Sequence, residues 1–304
     1  VLALEARAEA RSPGPVPMSP VEDVVVEFGN DASVIREPRL EERYRDRSCV
    51  IVCPTRGMIA HEVVMAQRNL VMPMNQKHTW QFAVGYEVGA AYNALIEGVL
   101  AHPFLKSWRY VLTAEDDNLP GYDAALRLME TLEAGPMGDG SSEWDAVSGL
   151  YSTKDALHSP MAYGDAEERH RTGYANFYPV DLSRVPPCAT SPCEDVRCRR
   201  HVLECNGIAM GCALWKMEMF RQISPPWFVT CNDKILVAED GENKLIKPDE
   251  DGLFELEPGK GYKKLVTQDL SFCNRAIEAP HFKRFAVDLR VKVGHLDVAT
   301  GRVY

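Results

Sequence analysis

The stretch Trp108-Arg-Tyr-Val-Leu-Thr-Ala-Glu-Asp-Asp-Asn118 decides the fold. A short apolar run, WRYVLT, passes straight into three carboxylates, Glu115, Asp116 and Asp117. Such a run reads as a buried strand, and the charges mark where the chain leaves the sheet. Upstream, CVIVCP (49–54) is a second continuous apolar strand closed by Pro54, and HTWQFAV (78–84) is a third. Downstream, WDAVSGL (144–150) is a fourth. Helical spacing fills the gaps at Ile59–Leu70, Glu87–Ala101 and Tyr122–Glu133. Strand alternating with helix predicts an α/β fold with a mostly parallel sheet and helices on both faces.

The second half is less regular. Residues 151–201 are polar and rich in Pro, Arg and Cys. VLECNGIAMGCAL (202–214) is apolar, and a short helix follows near Lys216–Gln222. Turn signals at DGEN, DEDG and PGKG separate the runs KILVA, KLIK and LFELE, which predicts a small hairpin insertion within 233–262. Thr267–Ile277 reads as a helix and Phe285–Asp297 as a closing strand. Before all this, residues 1–47 are Ala/Glu/Arg-rich and then Pro-rich (SPGPVPMSP), an N-terminal arm ahead of a single domain at 48–304.

Composition narrows the function. The 304 residues carry 34 Lys and Arg against 44 Asp and Glu, a net charge of −10, with 45% apolar residues. That is a globular chain, and its acidity disfavours a long phosphate-tracking surface. No apolar run approaches the roughly 18 residues of a membrane span. Residues 1–20 do not read as a secretory signal. Nine cysteines cannot all pair within one chain. Cys49, Cys53, Cys212 and Cys273 sit in apolar patterns and are expected as buried free thiols, so the expectation is a reducing, cytoplasmic location.

The chemistry centres on Glu115-Asp116-Asp117. In an open α/β sheet, ligands bind beyond the carboxyl ends of the strands. Three adjacent carboxylates there repel one another unless a cation neutralises them. Mg²⁺ or Mn²⁺ bridging a diphosphate fits, because these ions prefer oxygen and take few ligands from protein. The plainer alternative is an acidic helix cap at Asp117 or Asn118.

Four segments, in order, resemble the nucleotide-sugar glycosyltransferases of the GT-A fold, especially the family-2-like ones. CVIVCPTRG (49–57) is similar to their first strand and nucleotide loop, and LTAEDDN (112–118) to their DxD motif with Glu in first place. TQDLSFCNRA (267–276) resembles their xED helix with Gln before the Asp, and VGHLD (293–297) their late metal-binding His. The resemblance implies a Rossmann-like GT-A domain, with a donor half at about 48–150 and an acceptor half at about 151–304. It implies donor contacts from Pro54, Thr55, Arg56, Glu115 and Asp116. It implies metal ligation by Asp117 and His295, with help from Glu115, and Asp269 as the base. The implied reaction moves a sugar, from UDP-sugar as first expectation, to an acceptor hydroxyl with Mn²⁺ or Mg²⁺. Gly211 and Trp227 fall on the implied acceptor side. Each residue also has a plainer role: helix-dipole partner for Asp269, surface histidine for His295, solvated charge for Arg56. Gln268 and the late His leave inversion and retention both open.

Two further features lie between residues 188 and 205. Cys193-x₄-Cys198-x₂-His201-x₃-Cys205 has a compact, zinc-like spacing. The alternative is loop thiols with Cys205 in the core. Arg197, Arg199 and Arg200 form a basic cluster just before the acceptor side. It suggests a polyanionic acceptor, with hydroxymethylated bases of viral DNA as the leading expectation and host cytoplasm as the place. The alternatives are a polysaccharide, protein or small-molecule acceptor, or an inactive sugar-nucleotide-binding module. A nucleotidyltransferase is disfavoured, because PTRGMIA lacks the glycine-rich loop and following Lys.

Overall fold

The computed structural model describes residues 45–138, 140–185, 201–229, 234–237, 243–246, 261–264, 267–278 and 280–304. Most of the arm, together with Arg199, Arg200, Cys193, Cys198 and the run LFELE, lies outside the described residues. Asp46–Tyr304 gather into one unit.

Strand β1 (Cys49–Thr55) is buried at every position. Its outer neighbour is β2 (His78–Val84) and its inner one β3 (Tyr110–Ala114), both parallel to it. Helices α1 (His61–Arg68) and α2 (Val88–Ala101) make the connections. The short β4 (Asn118–Pro120) and α3 (Ala124–Ala134) lead on to β5 (Ala146–Leu150). Then come β6 (Ala162–Tyr163), α4 (Ala166–Thr172), β7 (Val202–Cys205), β8 (Gly207–Ile208) and β9 (Cys212–Lys216). Helix α5 (Met217–Gln222) follows β9. Strands β10 (Lys234–Val237), β11 (Asn243–Ile246) and β12 (Gly261–Lys264) form an antiparallel sheet of their own. The expected hairpin insertion is present, with its third strand at 261–264. Helix α6 (Gln268–Ile277), β13 (Phe285–Asp297) and β14 (Arg302–Val303) close the chain.

The main sheet runs β14-β13-β5-β9-β3-β1-β2. Strand β9 is antiparallel to both β3 and β5, and β13 is parallel to β5. Strands β2, β1, β3, β5 and β13 therefore point one way, with β9 reversed in their midst. The mixed α/β architecture with a mostly parallel central sheet matches the sequence expectation.

Side chains alternate along each strand, so one strand feeds two cores. Val50 and Val52 pack with Tyr92, Leu95, Ile96 and Val99 of α2. Cys49 and Ile51 pack with Leu128, Met129 and Leu132 of α3. Burial on both faces explains why CVIVC is continuously apolar rather than alternating. It also pushes the Cys49 and Cys212 thiols well up, and both are free. No helix among the described residues is long and apolar enough to cross a membrane.

Candidate functional site

Co-directional strands bring their carboxyl ends to one edge of the sheet. Thr55 ends β1, Glu115 follows β3, and Tyr151 follows β5. The fourth contributor, β13, arrives differently. Its first half pairs with β5, and the register shifts between Asp288 and Lys292. Beyond that irregularity it pairs with β4, which sets His295 opposite Asn118. The Leu296 N–H donates to the Asp117 carbonyl at 2.7 Å and locks the register. Two motifs nearly 180 residues apart in sequence meet by backbone pairing alone.

The three carboxylates diverge. The Tyr92 hydroxyl donates to Glu115 Oε1 at 3.1 Å, and the Gln67 side chain to the Glu115 carbonyl at 3.0 Å. Burial pushes the Glu115 carboxyl up to about 8, and the charges of Asp117 and Asp269 add to it. Asp116 Oδ2 accepts from the Arg56 N–H at 3.2 Å, across the gap between β3 and β1. Asp117 Oδ2 takes Lys154 Nζ at 2.5 Å and lies 3.5 Å from His295 Nε2. Burial raises the Asp117 pKa, but the His295 and Lys154 hydrogen bonds outweigh it and hold the carboxyl below its usual value. Asp117 Oδ1 is buried without a partner among the described residues.

His295 Nδ1 lies 2.8 Å from the Ser152 carbonyl. A carbonyl only accepts, so Nδ1 carries a proton there, and Nε2 is the ring atom left facing Asp117, a donor to it when protonated and a ligand for a cation when not. That orientation is the one a metal-ligating histidine needs. With Asp117, whose Oδ2 lies 3.5 Å away and whose Oδ1 has no partner among the described residues, His295 makes a pair of side chains whose chemistry fits a hard cation. Glu115 does not join them, because Tyr92 engages it on the α2 side. Among the described residues no group of three or more His, Cys, Asp or Glu side chains is placed to hold a metal. Asp117, His295 and Glu115, the three residues of that expectation, are therefore not placed as one ligand set.

Asp269 lies in the first turn of α6 and is almost fully buried. Its Oδ1 accepts from the Thr267 hydroxyl and from the Leu270 N–H at 2.9 Å. Burial raises its pKa, and those hydrogen bonds pull against it. Its charge helps to raise the pKa values of Glu115, Tyr151 and Tyr163, so it lies within electrostatic reach of all three. Gly211 bridges Glu115 and Tyr151. Its N–H donates to the Tyr151 hydroxyl at 2.6 Å and its carbonyl accepts from the Glu115 N–H at 3.1 Å. A Cβ on Gly211 would stand 1.8 Å from Asn118 Oδ1, so only glycine fits.

Thr55 and Pro54 end β1 as expected, and Arg56 is exposed just beyond them. Trp227 is a correction. It is 3% exposed, its indole N–H donates to the Ile223 carbonyl at 2.7 Å, and it packs edge-on against Phe220. It belongs to the core, not to an acceptor surface. Cys205 is likewise a core residue of β7, with Sγ 4.0 Å from the Phe285 carbonyl and its thiol pushed up to about 12 by burial. That removes one ligand from the zinc-like set. His201 Nε2 is buried without a partner among the described residues.

Sequence reading missed Lys154, Tyr92, Tyr151 and Gln67. Lys154 had a signal: YSTKD follows the buried strand β5, so the rule that singled out Glu115–Asp117 applies to it equally.

No family model matches the chain, and no curated protein does. Among solved structures, A197 from STIV is similar, with a TM-score of 0.47 and 11% identity over 84% of this chain and 92% of that one. A likeness at that level carries no argument about function.

Proposed function

We propose that this chain is a nucleotide-sugar glycosyltransferase of the GT-A type. The observation that supports it most is the convergence of Glu115, Asp117, Asp269 and His295 at the carboxyl edge of one mostly parallel sheet, with Asp117 Oδ1 buried and unpartnered among the described residues. Mn²⁺ or Mg²⁺ is the group this pair fits, held by Asp117 and His295 with the remaining positions left for diphosphate and water. When bound, it supplies Lewis-acid stabilisation of a departing nucleoside diphosphate.

The chain's own residues do the rest. Ser152 holds His295 in its ligating tautomer. The β1 end, Thr55 and Arg56, faces the nucleotide. Glu115, kept protonated near neutral pH by burial, offers a hydrogen-bond donor to the sugar or ribose. Asp269 accepts the proton of the attacking acceptor hydroxyl, and its raised pKa brings it nearer the working pH of a general base. Sugar transfer passes through an oxocarbenium-like state, which the surrounding carboxylates stabilise.

Thermal unfolding with a panel of UDP- and GDP-sugars tests this. A matching donor at a hundredfold excess over its Kd stabilises by about 2.7 kcal/mol. The gain should require Mn²⁺ or Mg²⁺ and vanish in Asp117→Ala. Equal stabilisation in EDTA, or none with any donor, would sink the reading. For the acceptor, the basic run Arg197–Arg200 supports a polyanion, with hydroxymethylated DNA bases first; salt-insensitive transfer to a neutral glycan would remove that choice.

A further inference from the structure

We propose that Lys154 is a tethered cation that occupies Asp117 when no metal is bound, yields it to a divalent ion, and then contacts the donor diphosphate. The inference rests on the glycosyltransferase reading of this site and assigns it an internal competitor for the metal.

Three observations carry it. First, one carboxylate is asked to serve two cationic or ligating neighbours through a single oxygen. Lys154 Nζ sits 2.5 Å from Asp117 Oδ2, and His295 Nε2 faces that same oxygen at 3.5 Å. The other oxygen, Oδ1, is buried and empty-handed. An unmet buried acceptor is costly, so the lysine contact leaves the carboxylate only half satisfied. An ion reaching Oδ1 and the His295 lone pair meets both needs.

Second, the lysine is presented on a fixed base. The Thr153 N–H donates to the Ser159 carbonyl at 2.9 Å, and the Ser159 N–H donates to Thr153 Oγ1 at 3.0 Å. Asp155 Oδ1 accepts from Thr153 Oγ1, Leu157 N–H and His158 N–H. The turn is stapled at both ends, which leaves the four-carbon stem as the moving part. The same loop supplies the Ser152 carbonyl that orients His295. One turn thus controls both the competitor and the ligand.

Third, electrostatics disfavours an ammonium ion and a divalent cation on the two oxygens of one carboxylate. An ammonium ion and a divalent cation repel at contact distance in a part-buried site, where Asp117 and Lys154 side chains are only 27% and 28% exposed. The displaced ammonium needs a new anion. A nucleoside diphosphate brings one into the same mouth. Ion and donor therefore bind with positive coupling, since each removes an obstacle to the other. Linkage makes the coupling equal in both directions, in a range usually between 5- and 150-fold.

The test measures Mn²⁺ binding calorimetrically on the intact chain, first alone and then with saturating UDP. The proteins are wild type, Lys154→Met, Lys154→Arg and Asp117→Asn. Lys154→Met should bind Mn²⁺ alone about tenfold more tightly than wild type, and UDP in EDTA more weakly. The gain in Mn²⁺ affinity on adding UDP should shrink in the same variant. Lys154→Arg should keep the wild-type pattern, and Asp117→Asn should bind no Mn²⁺ at this site. Unchanged or weaker Mn²⁺ affinity in Lys154→Met, with wild type binding both probes, overturns the competition while leaving the glycosyltransferase reading standing. Absence of Mn²⁺ binding from wild type even with UDP overturns both. If Lys154→Met fails to fold, Lys154→Gln replaces it with the same expectations.

Discussion

Glu115→Gln offers a direct measure of how the site is wired. Burial, with the charges of Asp117 and Asp269, raises the Glu115 pKa from the usual 4.5 to about 8. Below pH 4.5 the carboxyl is protonated whether the chain is folded or not, and its contribution to stability is fully present. Between 4.5 and 8 the unfolded chain releases this proton and the folded chain keeps it. Stability therefore falls as pH rises, by about 1.4 kcal/mol per pH unit. Across the window the loss is on the order of 5 kcal/mol, and above pH 8 it levels off. Glutamine has nearly the same shape, keeps a carbonyl for the Tyr92 hydroxyl, and has no proton to release. The variant should match wild type to within about 1 kcal/mol at pH 5 and exceed it by several kcal/mol at pH 8. Urea unfolding in EDTA at pH 5, 6, 7 and 8 gives the difference directly, and other titrating groups cancel in it. A stability difference that is flat with pH would show that Glu115 is ionised in the folded chain, and that its burial against Tyr92 is not as described.

Three further substitutions separate chemistry from scaffold. Asp269→Asn should keep donor affinity and lose transfer by ~10²-fold or more, measured as kcat with saturating donor; retained transfer would exclude Asp269 as the base. Gly211→Ala drives a Cβ to 1.8 Å from Asn118 Oδ1 and 2.6 Å from the Tyr151 hydroxyl, both in well-packed surroundings. It should cost about 1–3 kcal/mol in thermal unfolding, with donor stabilisation falling as well, because the Glu115 backbone hangs on the Gly211 carbonyl; an unchanged Tm contradicts the packing. Trp227→Phe strands the Ile223 carbonyl and should lower stability by about 1 kcal/mol with the acceptor KM unchanged. A KM effect without a stability loss would return Trp227 to the acceptor side.

What the sequence made legible follows from burial. β1, β3 and β5 are covered on both faces, so each leaves a continuous, mostly apolar run. The edge they share then marks the carboxylates that follow. Direction is a different matter. CALWK at 212–216 is as apolar as its neighbours, and nothing in its composition says that it enters between β3 and β5 the other way round. Long-range partners are equally silent. Lys154 meets Asp117 37 residues away, and Tyr92 meets Glu115 from the face of a helix whose other residues are core. Trp227 and Cys205 were misassigned for the converse reason: residue type suggested chemistry, and tertiary packing absorbed them.

The three carboxylates make the same point from within the site. In the sequence they are one acidic cluster whose repulsion demands a cation. In the fold, residues leaving a strand point in different directions, and each carboxylate finds a different neighbour: Glu115 the Tyr92 hydroxyl, Asp116 the Arg56 N–H, Asp117 the Lys154 ammonium. Repulsion is relieved by divergence before any ion enters. The case for a cation therefore rests on one residue, Asp117, on its unpartnered Oδ1 and on the approach of His295 to the same carboxylate. It follows that the three positions should fail separately. Loss at Glu115 should show in pH dependence, loss at Asp116 in the set of the β1 loop, and loss at Asp117 in metal binding. A single shared defect across all three substitutions would mean that the cluster acts as one charge after all.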